Sequence, residues 1–488
     1  MSITIVGLGP GNPGLITTEV WEILNNAEEI YVRTIRHPTV SALPEGLKVH
    51  SFDHLYEEKE TFDEVYQAIA EEVIKLGSRP QGVIYAVPGH PLVGEATTKL
   101  ILELAAKAGV EVSIKEGLSF LEPVFTTLRL DPVDGLQIVD ASELAAHHHP
   151  RLDPDRPAIV AQLYDRFLAS QVKAVLLDIY PEEHPLTLVI GAGTAQEEVV
   201  SLPLYELDRY QCIDHLTSLY IPPLPEESSP ISLQEVVAHL RSPEGCPWDR
   251  QQTHRSLRPY LLEETYEVLE ALDSGDTDKL RDELGDLLLQ VVLHAQIALE
   301  EGEFKLEDVI AGLIKKLKRR HPHVFGGLKV KDAEEVLHNW EEIKRSERGE
   351  KDFRSLLNGV PKSLPALAQA QAYQRKVARV GFDWPDVEGV WEKVQEELEE
   401  LKQARTQEER EAEVGDVLFA MVNLARWLKV DAESALREAN ARFTSRFREM
   451  ERLASERGHH LSELNLDQQD RLWEESKKHD KRQELGRR

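Results

Sequence analysis

Cysteine is nearly absent: Cys212 and Cys246 are the only two in a chain of 488 residues. Two cysteines cannot build a disulfide framework, and their scarcity fits a reducing compartment. Long apolar runs are missing too. No stretch of about 18 apolar residues occurs, which excludes an ordinary membrane-spanning helix. The opening MSITIVGLGPG has no basic segment ahead of its apolar run, and glycines break that run early. It reads as a first strand, not a secretion signal, so a cytoplasmic location is expected. Positive charge is also short. Lys and Arg number 57 against 87 Asp and Glu, a formal net charge of −30. Such a surface repels a phosphate backbone, so neither nucleic acid nor an anionic membrane is expected as a partner. A phosphate-bearing substrate would need a bound cation or a local basic pocket.

What is present divides the chain. Its length calls for two or three domains. Up to residue 221, short β-branched runs alternate with amphipathic stretches: ITIVGLG, GVIYAVPG, EVSIKEG, GLQIVDA, AIVAQL and LTLVIGAG. That alternation predicts an α/β domain with a largely parallel sheet. An acidic, proline-rich linker follows over residues 222–230. Beyond it, strand signals nearly vanish and helical periods dominate.

The helical part repeats itself. ELGDLLLQVVLHAQIAL from Glu283 resembles EVGDVLFAMVNLARWL from Glu413. Upstream, YLLEETYEV resembles KVQEELEEL. Downstream, Lys316 and Arg320 match Arg442 and Arg446, and Trp340 with Lys344 matches Trp473 with Lys477. Matches in the same order indicate a duplicated helical domain, over residues 231–350 and 357–488.

The acids of the second copy fall into a pattern. On a helix over residues 391–404, Trp391, Val394, Leu398 and Leu401 form an apolar stripe, with Glu397 and Glu400 beside it. On the next helix Val414, Val417, Leu418, Met421, Ala425 and Leu428 predict the buried stripe, bordered by Glu413 and Asp416. Packing the two stripes together gathers four carboxylates at one seam. The first copy does the same with Glu264, Glu267, Glu283 and Asp286. Carboxylates so crowded repel one another, and a hard divalent cation, Mg²⁺ above all, relieves that repulsion. A lone E-x-x-E in so acidic a chain is ordinary solvated surface; the pairing and the duplication set this one apart. Arg442 and Arg446, one turn apart, then suit phosphate oxygens. Asn440 lies on the same helix, where the first copy has Ile314.

GCPWDRQQTHRSLRPYLLEETYEVLEAL, ELGDLLLQVVLHAQ, KRRHPHVF, VGFDWPDVEGVWEKVQEEL and NLARWL closely resemble the two-repeat MazG family, from about Ile231 to Lys477. The resemblance implies all-α helical bundles that form homodimers. It implies Mg²⁺-dependent hydrolysis of nucleoside triphosphates, broad in base and sugar, to monophosphate and pyrophosphate. It also implies that the second repeat is the hydrolytic one. Glu397, Glu400, Glu413 and Asp416 would then be metal ligands and catalytic residues, and Asn440, Arg442, Arg446, Trp473 and Lys477 would line the substrate site.

The first domain carries two glycine loops. IVGLGPGNPGLIT brings Gly7, Gly9 and Gly11 to the end of a strand, and YAVPGHPLVGEAT brings Pro88, Gly89 and His90 to another. Glycines let a backbone approach a ligand closely. The pair resembles the tetrapyrrole (corrin/porphyrin) methylase family across residues 1–221. That implies two α/β lobes with S-adenosylmethionine between them. His90 stands where that family carries an acid, so the resemblance leaves methyl transfer open. The fold expected is therefore a two-lobed α/β methylase-like domain followed by two all-α MazG-like helical repeats. Two other functions remain: a methyltransferase whose helical half only dimerises, and a nucleotide-binding scaffold without catalysis.

Overall fold

A computed structural model describes residues 2–347 and 355–486. The chain divides into two compact units, Met1–Gly245 and Cys246–Arg488.

The first unit holds two five-stranded sheets. Strands β1 (Ser2–Gly7), β2 (Glu29–Val32), β3 (Lys48–Ser51), β4 (Val83–Val87) and β5 (Glu111–Lys115) are ordered β3-β2-β4-β1-β5, and every pairing is parallel. Ile3, Ile5, Tyr85 and Val87 are buried against the helices Phe62–Gly77 and Ala96–Ala108. Burial on both faces explains why these strands read as unbroken apolar runs. The second sheet, β6 (Gln137–Asp140), β7 (Ala158–Ala161), β8 (Pro185–Ile190), β9 (Glu198–Pro203) and β10 (Thr217–Ile221), is ordered β6-β7-β10-β8-β9. Only β6 and β7 run parallel there. No α-helix separates β8, β9 and β10, so no crossover is available to make them parallel. Beyond β10, Asp155 accepts hydrogen bonds from the Ser228 and Ser229 amides at 2.8 and 3.0 Å. Ser229 caps the helix Pro230–Arg241.

The second unit is helical. We label its main helices α1 (Arg258–Ser274), α2 (Thr277–Glu300), α3 (Leu306–Arg320), α4 (Ala333–Ser346), α5 (Ala366–Ala378), α6 (Val387–Gln403), α7 (Gln407–Trp427), α8 (Ala432–Glu456) and α9 (Leu466–Gly486). α1 packs on α2, α6 on α7, and α8 on α9. Each hairpin is punctuated by local chemistry. Gly275 takes the left-handed conformation that ends α1, and Asp276 caps α2. Thr406 and Glu409 form a capping box that starts α7 three residues after α6 ends.

The inner face of α6–α7 is not the one the sequence suggests. Val390, Val394, Ala420 and Leu424 form the buried cluster. Trp391, Leu398, Val414, Leu418, Met421 and Leu428 are exposed, each by 42% or more of its surface. The reason is that α7 is apolar on two faces. A helix of that kind buries one face at home and leaves the other bare in a single chain. No helix among the described residues is long and apolar enough to cross a membrane.

Candidate functional site

The antiparallel α6–α7 hairpin sets the last turns of α6 against the first turns of α7. Glu397 is buried, only 7% exposed, although it is an acid. Carboxylate oxygens of Glu397, Glu413 and Asp416 all lie within 4.8 Å of one another. Glu400 stands beside them. Burial raises its pKa first, and the charges of Glu397 and Glu413 raise it further. Lys393, one turn before Glu397, reaches its carboxylate at 2.8 Å and that of Glu396 at 3.1 Å. The same ion pairs raise the Lys393 pKa.

The acids open into a cavity of about 360 Å³. Glu397, Asp416 and Lys393 form one part of its lining. Tyr373, Val377, Phe382, Trp384 and Phe419 give it apolar and aromatic walls. These walls are pinned by polar contacts. Gln374 donates to the Phe419 carbonyl at 2.8 Å and fastens α5 to α7. Asp383 receives Arg426 Nη2 at 2.5 Å and Trp427 Nε1 at 3.1 Å, which ties the loop of Phe382 and Trp384 to the end of α7. Trp384 lies against Gly389, where a Cβ would meet the ring at 2.5 Å. Sequence reasoning missed Lys393 and the aromatic walls. The run GFDWP was visible, but nothing in it says which way its rings point.

The residues expected to bind substrate sit elsewhere on the chain. Among the residues lining the cavity, none of Asn440, Arg442, Arg446, Trp473 and Lys477 appears. They lie on α8 and α9 instead. Phe443 stacks with Phe447 and touches the Trp473 ring at 5.4 Å. Lys477 Nζ lies 5.9 Å from the centre of that ring and 2.5 Å from Glu474. Arg442 pairs with Glu438 at 3.4 Å.

The first repeat also gathers its acids. Oxygens of Glu264, Glu267 and Glu283 lie within 4.8 Å of one another. Burial raises the Glu264 pKa, helped by the charges of Asp286 and Glu267. Glu283 is raised by burial and then by Glu267. Arg320 is engaged by Glu347 through two hydrogen bonds, at 3.2 and 2.6 Å.

In the first unit the two glycine loops pair: the Gly89 amide donates to the Gly9 carbonyl at 2.9 Å, and the Gly9 amide to the Gly89 carbonyl at 3.3 Å. A Cβ on Gly7 would stand 2.5 Å from the Gly89 carbonyl oxygen, so only glycine permits this approach. Gly9, Gly11 and Gly89 all have positive φ. Pro88 and Gly89 line a cavity of about 550 Å³ with Arg33, His37, Glu95, Phe120 and Gln162. His90 is turned into its own loop, its Nδ1 accepting from the Leu92 amide at 3.0 Å. Arg33 and the buried Glu95 pair at 2.6 Å. Burial works most strongly against the charge on Arg33, but Glu95 together with Tyr56, Tyr85 and Tyr66 outweighs it and raises the pKa. Burial and the neighbouring Arg33 push His37 down to about 4, so its ring is neutral at pH 7. Arg33 and Glu95 lie 62 positions apart, and no local motif links them.

Comparison with known proteins follows the same division. The family model for tetrapyrrole (corrin/porphyrin) methylases matches residues 2–208. The model for the MazG nucleotide pyrophosphohydrolase domain matches residues 252–325, within the first repeat. The Bacillus subtilis (strain 168) protein YabN is 44% identical over 98% of this chain and 99% of its own length. The nucleoside triphosphate pyrophosphohydrolase/pyrophosphatase MazG of Thermotoga maritima is 51% identical, over 50% of this chain and 94% of its own. The nucleoside triphosphate pyrophosphohydrolase of Escherichia coli (strain K12) is 48% identical, over 50% of this chain and 96% of its own. With two such relatives covered almost end to end by its helical half, and a methylase domain ahead of it, the chain belongs to the MazG nucleoside triphosphate pyrophosphohydrolase family, in a form that carries an N-terminal tetrapyrrole methylase domain.

Proposed function

We propose that the second repeat, residues 357–488, hydrolyses nucleoside triphosphates to monophosphate and pyrophosphate. The observation that carries this reading is the junction of a carboxylate cluster with an aromatic-walled cavity, which share Glu397 and Asp416. The donor set is all oxygen, with one acid held above its ordinary pKa by burial and its neighbours. That set fits Mg²⁺. Glu397, Glu400, Glu413 and Asp416 would hold it. When bound, Mg²⁺ neutralises phosphate charge and acidifies a water.

The chain's own residues would do the rest. A carboxylate of the cluster orients a water toward the α-phosphorus and takes up its proton as the new P–O bond forms. The bond from the α-phosphorus to the bridging oxygen breaks, and pyrophosphate leaves with that electron pair. Lys393 moves from Glu397 toward phosphate when the acids are satisfied by cations. The aromatic walls take up the base. They offer few fixed polar groups, which suits substrates of broad base and sugar identity.

The basic face completes the site from a second copy of the chain. α8 pairs with α9, and Arg442 and Arg446 are absent from the cavity lining of their own protomer. The bare apolar faces of α7 (Val414, Leu418, Met421) and α8 (Leu436, Phe443, Phe447) supply the surface for such a homodimer. Arg442, Arg446 and Lys477 would hold the departing pyrophosphate, with Asn440 and Trp473 beside them. The first repeat, residues 231–350, has the acids but a weaker setting, and we assign it to assembly. The first domain, residues 1–221, binds S-adenosylmethionine in its cavity under Pro88 and Gly89, while the methyl acceptor is left unassigned. The experiment is pyrophosphate release from a panel of nucleoside triphosphates with and without Mg²⁺. Release of inorganic phosphate in place of pyrophosphate, or no turnover of any of them, overturns the reading.

A further inference from the structure

A different set of ligating groups lies in the first repeat, away from its acidic seam. His254 sits in the loop before α1. Thr253 and Ser256 hold that loop reciprocally: the Thr253 amide donates to Ser256 Oγ at 2.9 Å, and the Ser256 amide to Thr253 Oγ1 at 3.1 Å. The His254 ring stacks on His294 of α2, with ring centres 5.0 Å apart and planes 11° from parallel. Their Nδ1 atoms are 2.7 Å apart, so a single proton lies between them. The other edge of His254 faces acids. Its Nε2 is 3.8 Å from Glu301 Oε2. Ligating atoms of His254, Glu301 and Glu303 lie within 4.8 Å of one another.

The acids are badly placed for a helix. α2 ends at Glu300, Glu301 is its cap, and the chain turns back through Gly302 so that the Glu303 amide reaches the Ala298 carbonyl at 2.9 Å. Glu301 and Glu303 therefore stand at the negative end of the helix dipole, in a chain of net charge −30. Two carboxylates there work against the helix dipole, and a cation between them would relieve that cost. When His254 donates from Nδ1 to His294, its Nε2 presents a lone pair to the same point. A ligating histidine whose second nitrogen is held by a neighbour is the arrangement metal sites use to fix the ring.

We propose that His254, Glu301 and Glu303 bind one divalent transition-metal ion of the Zn²⁺ class, with His294 as the positioning residue. One imidazole nitrogen beside two carboxylates selects Zn²⁺, Co²⁺ or Mn²⁺ over Mg²⁺, whose preference is for oxygen alone. The ion fastens the loop ahead of α1 to the far end of α2. It is separate from the carboxylate seam, and the proposal stands or falls without the pyrophosphohydrolase reading.

The test uses full-length protein stripped with a chelator and then saturated with Mg²⁺, which occupies the all-oxygen sites. Co²⁺ is titrated in and followed by calorimetry and by its visible absorption. One equivalent per chain is expected, with the absorption of a nitrogen-containing site. His254→Gln and Glu303→Gln should each abolish that equivalent, while His294→Ala weakens it by about 10- to 100-fold. Pyrophosphohydrolase turnover should be unchanged in all three. Glu303 is exposed, so Glu303→Gln tests the site even if His254→Gln fails to fold. An unchanged Co²⁺ equivalent in the Glu303 variant, or none in the parent protein, would leave His254 as a simple ion-pair partner of Glu301 and overturn the proposal.

Discussion

The two helical repeats carry the same four acids on matching hairpins, yet their surroundings differ at several positions near them. Lys393 in the second repeat answers to Tyr260 in the first, Ala420 to Gln290, Leu424 to His294 and Asn440 to Ile314. Lys393 neutralises Glu397. Tyr260 brings no charge, and in the first repeat two acids, Glu264 and Glu283, have raised pKa values. Ala420 lines the cavity, whereas its counterpart on α2, Gln290, is a larger buried side chain. Duplication thus preserved the four acids while the side chains around them diverged. If only the second repeat is hydrolytic, as proposed above, then acids alone do not make the site, and the room for a base and the cation beside the acids matter as much.

The largest effect should come from the acids themselves. Glu397→Gln or Glu413→Gln is expected to lower turnover on the order of 10³-fold, since a lost metal interaction is worth several kcal/mol in the transition state. Glu264→Gln with Glu267→Gln should leave most of the rate. Pyrophosphate release by the purified variants, with size-exclusion to confirm the assembly, measures both. Equal losses in the two repeats would erase the asymmetry between them.

The second effect separates the halves of the site. Chains with Glu413→Gln and chains with Arg442→Ala and Arg446→Ala should each be nearly inactive. If the acids of one chain meet the basic residues of another, exchanging subunits between them regenerates one intact site per mixed dimer, and roughly a quarter of the parent activity returns. No recovery after verified exchange would return Arg442 and Arg446 to the acids of their own chain.

Much of this was legible beforehand and some was not. The E-x-x-E and E-x-x-D spacing located the hairpin because two helices meeting at helical stripes can gather acids in only a few ways. The parallel sheet was legible because strands covered on both faces carry unbroken apolar runs. The buried face of α7 was not, since Val414, Leu418 and Met421 are as apolar as Ala420 and Leu424. Choosing between such faces needs knowledge of which helix packs against each, which the periodicity of one helix does not contain. The cavity walls were hidden for a related reason: Tyr373, Trp384 and Phe419 come from three separate segments. His254 and His294, 40 positions apart, were likewise beyond any local pattern.

Ala420→Gln should carry the first repeat's side chain into the second. The added amide would enter the cavity and cost about 1–3 kcal/mol of packing or binding. We expect kcat/KM to fall by about 10- to 100-fold, chiefly through KM. Mg²⁺ binding by calorimetry should stay as it was, because the acids are untouched. A variant with normal KM would mean that the base binds outside the aromatic walls.

The smallest effect is also the most direct test of the charge difference. Tyr260→Lys places a cation one turn before Glu264, as Lys393 is placed before Glu397. Burial first, then Asp286 and Glu267, raises the Glu264 pKa above its ordinary 4.5. A carboxyl raised on folding stabilises the fold fully below its unfolded pKa, where it keeps its proton. That contribution is lost as pH rises through the raised value. Metal-free protein should therefore lose stability as pH climbs out of the carboxylate range, and the introduced lysine should soften the loss. The gain at neutral pH should be about 0.3–0.5 kcal/mol, as for other helical pairs four residues apart, and on the low side because Lys precedes Glu. It should fade below the unfolded pKa, where Glu264 is neutral, and shrink with saturating Mg²⁺, where the ion already supplies the charge. Thermal unfolding across that pH range, with and without Mg²⁺, reads all three. A gain that is the same at acidic and neutral pH would show that the new side chain acts by helix propensity, and that the missing cation is not what sets the first repeat apart.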